Sequence, residues 1–160
     1  MIIICDSSPL IALSIIDKLD LLDILFNDVL VPVSVFNEIN MQGKPESKRI
    51  SEWATGKVTA SINNPLRQSF SLLLDAGESE AMSLYFEKNA DFLLIDEKKG
   101  RKIAIYNKIN IVGSLGILLL AKQKGLLFSL KPFLDKLQQS YIRISDELYM
   151  KTLSLAKEIE

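Results

Sequence analysis

The chain has 160 residues, 48% of them hydrophobic, which is one domain's worth of sequence with enough apolar side chains for a single core. Nineteen Lys and Arg stand against twenty Asp and Glu, so the net charge of −1 indicates no global positive field for nucleic acid. The chain has no histidine and only one cysteine, so its composition excludes Ser-His-Asp and Cys-His catalysis, ordinary zinc sites and disulfide scaffolds. Carboxylates remain, and these prefer hard cations such as Mg²⁺ or Mn²⁺.

The apolar segments are too short for a signal peptide or a membrane span. Residues 1–5 are apolar but end at Asp6, and the longest later run, 115–121, is far below the roughly 20 residues that a bilayer requires. The sequence therefore predicts a cytoplasmic protein that has no contact with a membrane.

A strand and a helix are predicted at the start of the chain. Ile2–Cys5 is a continuous, largely β-branched run, typical of a strand buried on both faces of a parallel sheet. Ser8 followed by Pro9 predicts an N-cap and the first helical position. The second strand is expected over 29–33, where Pro32 favours an edge or a terminal position because it cannot donate to a ladder.

The middle of the chain is predicted to be mainly helical. Ser34 is expected to cap a helix that carries Glu38 in its first turn. A polar loop over 40–47 then leads to further elements: a helix over 48–55, a short strand over 58–62 and a helix over 66–74. Asp75, with Glu78 three residues later, is typical of a capping box and predicts the start of another helix.

The last third again alternates strands and helices. A strand over 92–95 ends at Asp96, a helix follows over 97–107, and a strand over 110–112 precedes Ser114. Helices over 115–124, 131–139 and 146–158 complete the chain. This alternation predicts right-handed crossovers and a three-layer α/β/α fold with a mainly parallel central sheet. We expect a single domain over 1–160, on which the C-terminal helices, from about residue 131, pack.

Acidic residues directly follow two of the predicted strands. Asp6 and Asp96 should emerge at the carboxyl edge of the sheet, which is where open parallel sheets bind ligands. Glu38 and Glu78 lie on helices that begin at this edge and are expected to point into the same crevice. Four such carboxylates repel one another, and a divalent cation relieves the repulsion. The pattern indicates metal-assisted attack of water on a phosphodiester.

Four segments, in order and spacing, together resemble the PIN domain, the fold of VapC-type toxins. They are ICDSSPLIAL at 4–13, VSVFNEI at 33–39, AGESEA at 76–81 and LLIDE at 93–97. They are also similar to one prokaryotic PIN subfamily with the same acidic motifs, over about residues 2–126. The resemblance implies a Mg²⁺- or Mn²⁺-dependent endoribonuclease that is the toxin of a toxin–antitoxin pair. Its implied partners are RNA, a protein antitoxin and a second copy of the chain in a homodimer.

Carried over position by position, the resemblance implies a quartet of catalytic and metal-binding acids, supported by the neighbouring serine Ser7. The family's third acid is commonly Asp, so Glu80 remains an alternative to Glu78. The quartet is Asp6, Glu38, Glu78 and Asp96.

A basic cluster and a serine are further candidates for substrate binding. The cluster directly follows Asp96 and is either a solvated helix face or a binding site for the phosphates that flank the scissile bond. Ser114 follows the last strand and is expected at the same edge of the sheet. The cluster consists of Lys98, Lys99, Arg101 and Lys102.

Other functions are less compatible with these residues. Haloacid-dehalogenase-type phosphatases need a second Asp two residues after the first, where this chain has Ser8. Receiver domains need a further acidic pair and a lysine after the last strand, where this chain has Gly113 and Ser114. The remaining alternative is a catalytically degenerate PIN-like scaffold that binds nucleic acid or protein, although uncompensated carboxylates in one crevice would cost it stability.

Overall fold

The computed structural model describes residues 1–160 and contains one five-stranded sheet. The strands lie in the order β3-β2-β1-β4-β5, and every pairing is parallel. The first half of the chain therefore builds one side of the sheet and the second half builds the other. The direction reverses beside the central strand, and this is the point at which open α/β sheets bind ligands. The strands are β1 (Ile2–Cys5), β2 (Asp28–Pro32), β3 (Val58–Thr59), β4 (Phe92–Leu94) and β5 (Ile111–Val112).

Ten helices connect and cover these strands. No helix combines the length and the apolar character needed to cross a membrane. In chain order the helices are α1 (Ser7–Ile15), α2 (Asp20–Leu25), α3 (Val33–Met41), α4 (Ser47–Trp53), α5 (Pro65–Ser71), α6 (Ala76–Glu87), α7 (Lys98–Tyr106), α8 (Ser114–Gln123), α9 (Lys131–Gln139) and α10 (Asp146–Leu155).

The sheet separates two hydrophobic cores. Ile3 and Cys5 belong to a core of 28 buried residues, whereas Ile4 belongs to a core of 12 on the opposite face. This division follows from strand geometry, because successive side chains point to opposite faces. Both faces are covered, so the predicted three-layer α/β/α fold with a parallel sheet is confirmed. Leu134 of α9 and Leu153 of α10 are part of the larger core.

Two predicted helix starts are wrong. Helix α1 begins at Ser7 with Asp6 as its N-cap residue, so Ser8 is already helical. Pro9 is tolerated there because the first four helical N–H groups have no intrahelical acceptor. Helix α3 likewise begins at Val33, which places Glu38 in the second turn rather than the first.

Two predictions about the strands have different outcomes. Pro32 is the last residue of β2, which confirms the predicted terminal position; the alternative of an edge strand does not hold, because β2 lies between β1 and β3. The strand predicted over 58–62 contains only Val58–Thr59. The chain after Thr59 leaves the sheet towards Asn64, which caps α5 by accepting from the Arg67 N–H.

Candidate active site

Asp6 lies at the carboxyl end of the central strand. Its N–H donates to the Leu94 carbonyl at 2.9 Å, which continues the pairing of β1 with β4 up to the start of α1. The Asp6 side chain is buried, with 3% of the residue exposed, and its Oδ1 atom has no hydrogen-bond partner. Buried polar atoms are nearly always paired in folded proteins. An unpaired carboxylate oxygen at this edge therefore points to a binding role.

The pKa of Asp6 reflects an acidic environment. Burial raises this pKa to about 8, a backbone hydrogen bond from Ser7 lowers it, and the carboxylates of Glu78, Asp75 and Glu38 raise it further. Three acidic side chains from α3 and the start of α6 thus act on the carboxyl group at the end of β1. This is the repulsion expected from a cluster of carboxylates without a cation.

Glu38 is held at this edge by close packing of α3 against α6. A Cβ atom added to Gly77 would lie 2.9 Å from Glu38 Oε2, so only glycine allows this approach without displacing the carboxylate. Burial and the Asp75 carboxylate raise the pKa of Glu38, whereas hydrogen bonds from Ser7 and Gln42 lower it. The Gln42 amide donates to Glu38 Oε1 at 3.2 Å.

Glu78 takes part in the capping box that was predicted at the start of α6. The Glu78 N–H donates to Asp75 Oδ1 at 2.8 Å, and the Asp75 N–H donates to Glu78 Oε2 at 3.4 Å. Burial raises the pKa of Glu78 to about 7, and Asp75 and Glu97 raise it as neighbouring acids. A hydrogen bond between the carboxyl groups of Glu78 and Glu97 contributes to this rise.

Asp96 follows β4 but has different neighbours from the other three acids. Its Oδ1 accepts from the Ser114 N–H and its Oδ2 from the Ser114 hydroxyl, each at 2.8 Å. Burial raises the pKa of Asp96, and the bonds from Ser114 and the charge of Arg101 lower it. Asp96 is not among the groups that shift the pKa of Asp6. Glu38 and Glu78 therefore act on Asp6, whereas Asp96 is held separately by Ser114.

Glu80, the alternative third acid, points towards other partners. Its carboxylate forms an ion pair with Arg67 at 2.6 Å and accepts from the N–H and hydroxyl of Ser34, both at 3.1 Å. Only 2% of Glu80 is exposed. These contacts use its carboxylate to join α3, α5 and α6.

The basic cluster lies at the beginning of α7. Lys98, Lys99 and Lys102 are exposed, and none of them forms an ion pair. Arg101 is partly buried, and its guanidinium donates to the Ile95 carbonyl at 2.8 Å. Three cationic side chains are thus free at the surface near the acidic edge, while Arg101 is tied to the end of β4.

Two acids and two further glycines at this edge were not predicted from the sequence. Asp75 and Glu97 are both helix-capping residues, so their local role concealed their contribution to the acidic cluster. A Cβ atom on Gly100 would lie 3.3 Å from Glu78 Oε1, and one on Gly113 would lie 2.8 Å from Asp96 Oδ1. Each glycine is distant in the sequence from the acid that it approaches, so the sequence carried no local signal of this close packing.

The donor set suits a hard divalent cation. The carboxylates of Asp6, Glu38 and Glu78 provide oxygen ligands, and Asp6 Oδ1 lacks any competing partner. As the side chains stand, no group of three or more acids or cysteines is arranged to hold a metal ion. The hydrogen bond that Glu78 accepts from the Asp75 N–H is long, at 3.4 Å, and rotation of Glu78 towards Asp6 would break this weak bond and the one with Glu97.

The parallel fold, with acids where the strand order reverses, defines an α/β protein of the PIN type. A family model, DUF3368, described as a PIN domain, matches residues 2–158. The chain therefore belongs to this PIN domain family, and the resemblance found in the four sequence segments is confirmed. PIN domains are generally nucleases, they typically use divalent metals, and PIN nucleases bind RNA. No curated protein and no solved structure gives a significant match to the chain.

Proposed function

We propose that the chain is a divalent-metal-dependent endoribonuclease. In this proposal Asp6, Glu38 and Glu78 hold Mg²⁺ or Mn²⁺, and Asp96 completes the acidic edge. The observation that carries the proposal is Asp6, a buried carboxylate that has an unpaired Oδ1 atom and lies among other acids at the end of the central strand. A purely structural residue would gain nothing from this environment, because both burial and repulsion oppose its charge.

The chain's own groups would divide the work of hydrolysis. A divalent cation at this site supplies Lewis acidity and neutralises the charge that develops on the phosphate. Asp6 holds a proton in the cation-free protein at neutral pH, since its pKa is about 8, and releases it when the site is loaded. Glu78 shares a hydrogen bond with Glu97 in the cation-free protein, where its pKa is about 7, so it too would be fully ionised only with the cation bound.

Other predicted residues have supporting positions in this proposal. Ser7 interacts with Glu38, and Ser114 orients Asp96 through two hydrogen bonds. Lys98 and Lys99 are exposed beside the acidic edge and are free to bind RNA phosphates. We assign the third acid to Glu78 rather than Glu80, because the carboxylate of Glu80 is engaged by Arg67 and Ser34.

We extend the proposal to the biological role of a cytoplasmic toxin that forms a homodimer and is blocked by a protein antitoxin. The support is the resemblance to VapC-type toxins and the presence of exposed apolar side chains that a partner would cover. Leu72 is 84% exposed and Leu73 is 57% exposed, and both follow the short helix α5. Sedimentation of the purified protein at several concentrations tests the dimer directly.

A cleavage assay tests the proposed activity. We expect purified protein with Mn²⁺ to cut members of a panel of structured and single-stranded RNAs at defined positions. The cuts should vanish with EDTA and in Asp6→Asn. The matched control is Asp28→Asn, which removes an exposed charge at the opposite end of the sheet and should leave cleavage unchanged.

A thermal melting assay tests the metal site independently of the substrate. Mn²⁺ should raise the melting temperature of the wild type, by an amount that grows as RT ln(1 + [L]/Kd). Asp6→Asn should melt above the wild type without metal and should lose the response to Mn²⁺. If millimolar Mn²⁺ leaves wild-type melting unchanged and no RNA is cut, the degenerate scaffold is the better description.

A further inference from the structure

A large groove begins at Asp96 and Ser114 of the acidic edge and extends to the C-terminal helix, past residues to which the proposed chemistry assigns no role. Its volume is about 930 Å³, close to the upper limit of roughly 1,000 Å³ for a small-molecule pocket. It is lined by α8, by α10 and by the segment that joins α9 to α10. Its apolar lining includes Ile111, Leu115, Leu119, Ile142, Leu148 and Leu155.

Cationic side chains also line this groove. Lys44, Arg143 and Lys151 line the groove, and Arg101 lines the end nearest Asp96. None of the four is in an ion pair, because the salt bridges of the protein use other lysines and arginines. The acids that line the groove are Asp96 and Glu97, both at its catalytic end. Apart from the Glu46 carboxylate, which accepts from the Tyr141 hydroxyl, the charged side chains along the remainder of the groove are positive and suit an anionic chain.

An aromatic side chain also lies on this rim. Tyr141 is 53% exposed and lines the groove, and the Lys44 ammonium lies 4.8 Å from the centroid of its ring. Its hydroxyl donates to Glu46 Oε2 at 2.6 Å, which restrains the orientation of the ring. An exposed aromatic ring beside unpaired cations is the combination with which proteins bind single-stranded nucleic acid: bases stack on the ring and phosphates contact the cations.

We propose that this groove binds the single-stranded RNA on one side of the scissile phosphate. A base stacks on Tyr141, and Arg143 and Lys151 contact phosphates of the same strand. The inference rests on the proposed nuclease function, because the groove ends at Asp96 and Ser114 and would lead the strand to the acidic edge. It gives this chain a substrate contact that the four acidic motifs do not contain.

The binding test uses a fluorescent single-stranded RNA of about 12 nucleotides in EDTA, so that no cleavage occurs. Anisotropy is measured over a range of salt concentrations for the wild type, Arg143→Gln/Lys151→Gln and Lys88→Gln/Lys124→Gln. The last variant is the matched control, because Lys88 and Lys124 are exposed, unpaired and outside the groove. Loss of two phosphate contacts should reduce the salt slope by about 1.4 in the groove variant and leave it unchanged in the control.

The stacking contact is tested separately at Tyr141. Tyr141→Ala should weaken RNA binding about fivefold or more, whereas Tyr141→Phe keeps the ring and should bind like the wild type. Crosslinking of wild-type protein to RNA that contains 4-thiouridine provides a measurement that does not depend on the folding of any variant. We expect the crosslinked peptides to come from the segment between α9 and α10.

The outcomes separate this inference from the nuclease proposal. Equal salt slopes in the two double variants, or crosslinks only outside the groove, overturn the groove as an RNA site. Tight binding of a peptide at the groove, with no RNA binding at low salt, overturns it in favour of a protein partner. RNA binding with the expected salt slopes but no cleavage in Mn²⁺ refutes the nuclease function and leaves the RNA site in place.

Discussion

At the residue scale, Asp6 combines two features that oppose its negative charge. Its carboxyl group is buried, and Glu78, Asp75 and Glu38 add negative potential. The fold therefore stabilises the protonated form of Asp6, although the free residue is ionised at neutral pH. A cation that neutralises the cluster would reverse this preference, and the same environment makes stability depend on pH.

In the metal-free protein, the free energy of unfolding should fall as the pH rises from about 4 to about 8. The pKa of Asp6 increases from 3.8 in the unfolded chain to about 8 in the fold, so within this window the folded state binds a proton that the unfolded chain has lost. Glu78, with a pKa of about 7, contributes in the same direction. Urea unfolding in EDTA across this range measures the slope.

Asp6→Asn provides the comparison for that slope, since the amide does not titrate. We expect its free energy of unfolding to depend less on pH than that of the wild type, while Asp28→Asn retains the wild-type slope. Identical slopes in Asp6→Asn and the wild type would show that Asp6 is not the titrating group.

The Ser114 hydroxyl is expected to contribute to both stability and cleavage through its hydrogen bond to Asp96. Ser114→Ala removes the hydroxyl bond to Asp96 Oδ2 but keeps the N–H bond to Oδ1. Loss of a hydrogen bond to this half-buried carboxylate should lower the free energy of unfolding by about 1–3 kcal/mol and slow cleavage by freeing Asp96 to reorient. Ser154→Ala, on the exposed side of α10, is the control and should change neither quantity.

At the scale of elements, the position of Glu38 depends on how α3 is anchored. Helix α3 begins after Pro32, whose side chain cannot cap it, and the Glu80 carboxylate accepts from the Ser34 N–H instead. Arg67 of α5 neutralises Glu80 at 2.6 Å. An acid from α6 therefore serves as the cap of α3, and this fixes the two helices whose acids meet near Asp6.

Breaking the ion pair between Arg67 and Glu80 should lower the free energy of unfolding. Glu80 has 3% of its side chain exposed and Arg67 has 27%, so Glu80→Gln should lower the free energy of unfolding by about 3 kcal/mol, the low end for a buried pair. Lys131→Ala, which breaks the exposed pair with Asp135, should have little effect on urea unfolding. A similar small loss in both variants would mean that the Glu80 pair does not anchor α3.

At the scale of the whole molecule, the C-terminus is tied to the body of the domain through Glu158. Its carboxylate accepts from Lys122 Nζ of α8, the Ser129 hydroxyl and the N–H groups of Leu130 and Lys131. Although burial opposes the charge, these hydrogen bonds lower the pKa of Glu158 to about 2. One side chain near the end of the chain therefore connects α8 to the beginning of α9.

Glu158→Gln should lower the free energy of unfolding by roughly 1.5–3 kcal/mol at neutral pH, because it weakens hydrogen bonds to a charged acceptor. The pKa is lower in the fold than in the unfolded chain, so this stabilisation is present above about pH 4.5 and is lost as the pH falls towards 2. Urea unfolding at neutral and acidic pH measures the difference, with Glu160→Gln as the control. A difference that is independent of pH would contradict the proposed role of the charge.

Local chemistry was enough to predict much of the fold. The apolar run of β1, the acids at the strand ends and the capping box at Asp75 and Glu78 are all determined by neighbouring residues. Such features follow from backbone geometry and local hydrogen bonding. The helix start at Val33 was less predictable, because the cap of α3 comes from Glu80 on another helix, and the start of α1 at Ser7 has no side-chain cap at all.

The sequence by itself determined the parallel α/β class, the PIN family motifs and the location of Asp6, Glu38, Glu78 and Asp96 near one edge. Only the tertiary structure decided which of these acids act on one another. Glu80 and Asp96 both lie in the acidic motifs, yet Glu80 forms an ion pair with Arg67 and Asp96 accepts hydrogen bonds from Ser114. Their partners come from distant parts of the chain, and the charge state of a buried carboxylate depends on what the fold places within a few ångströms of it.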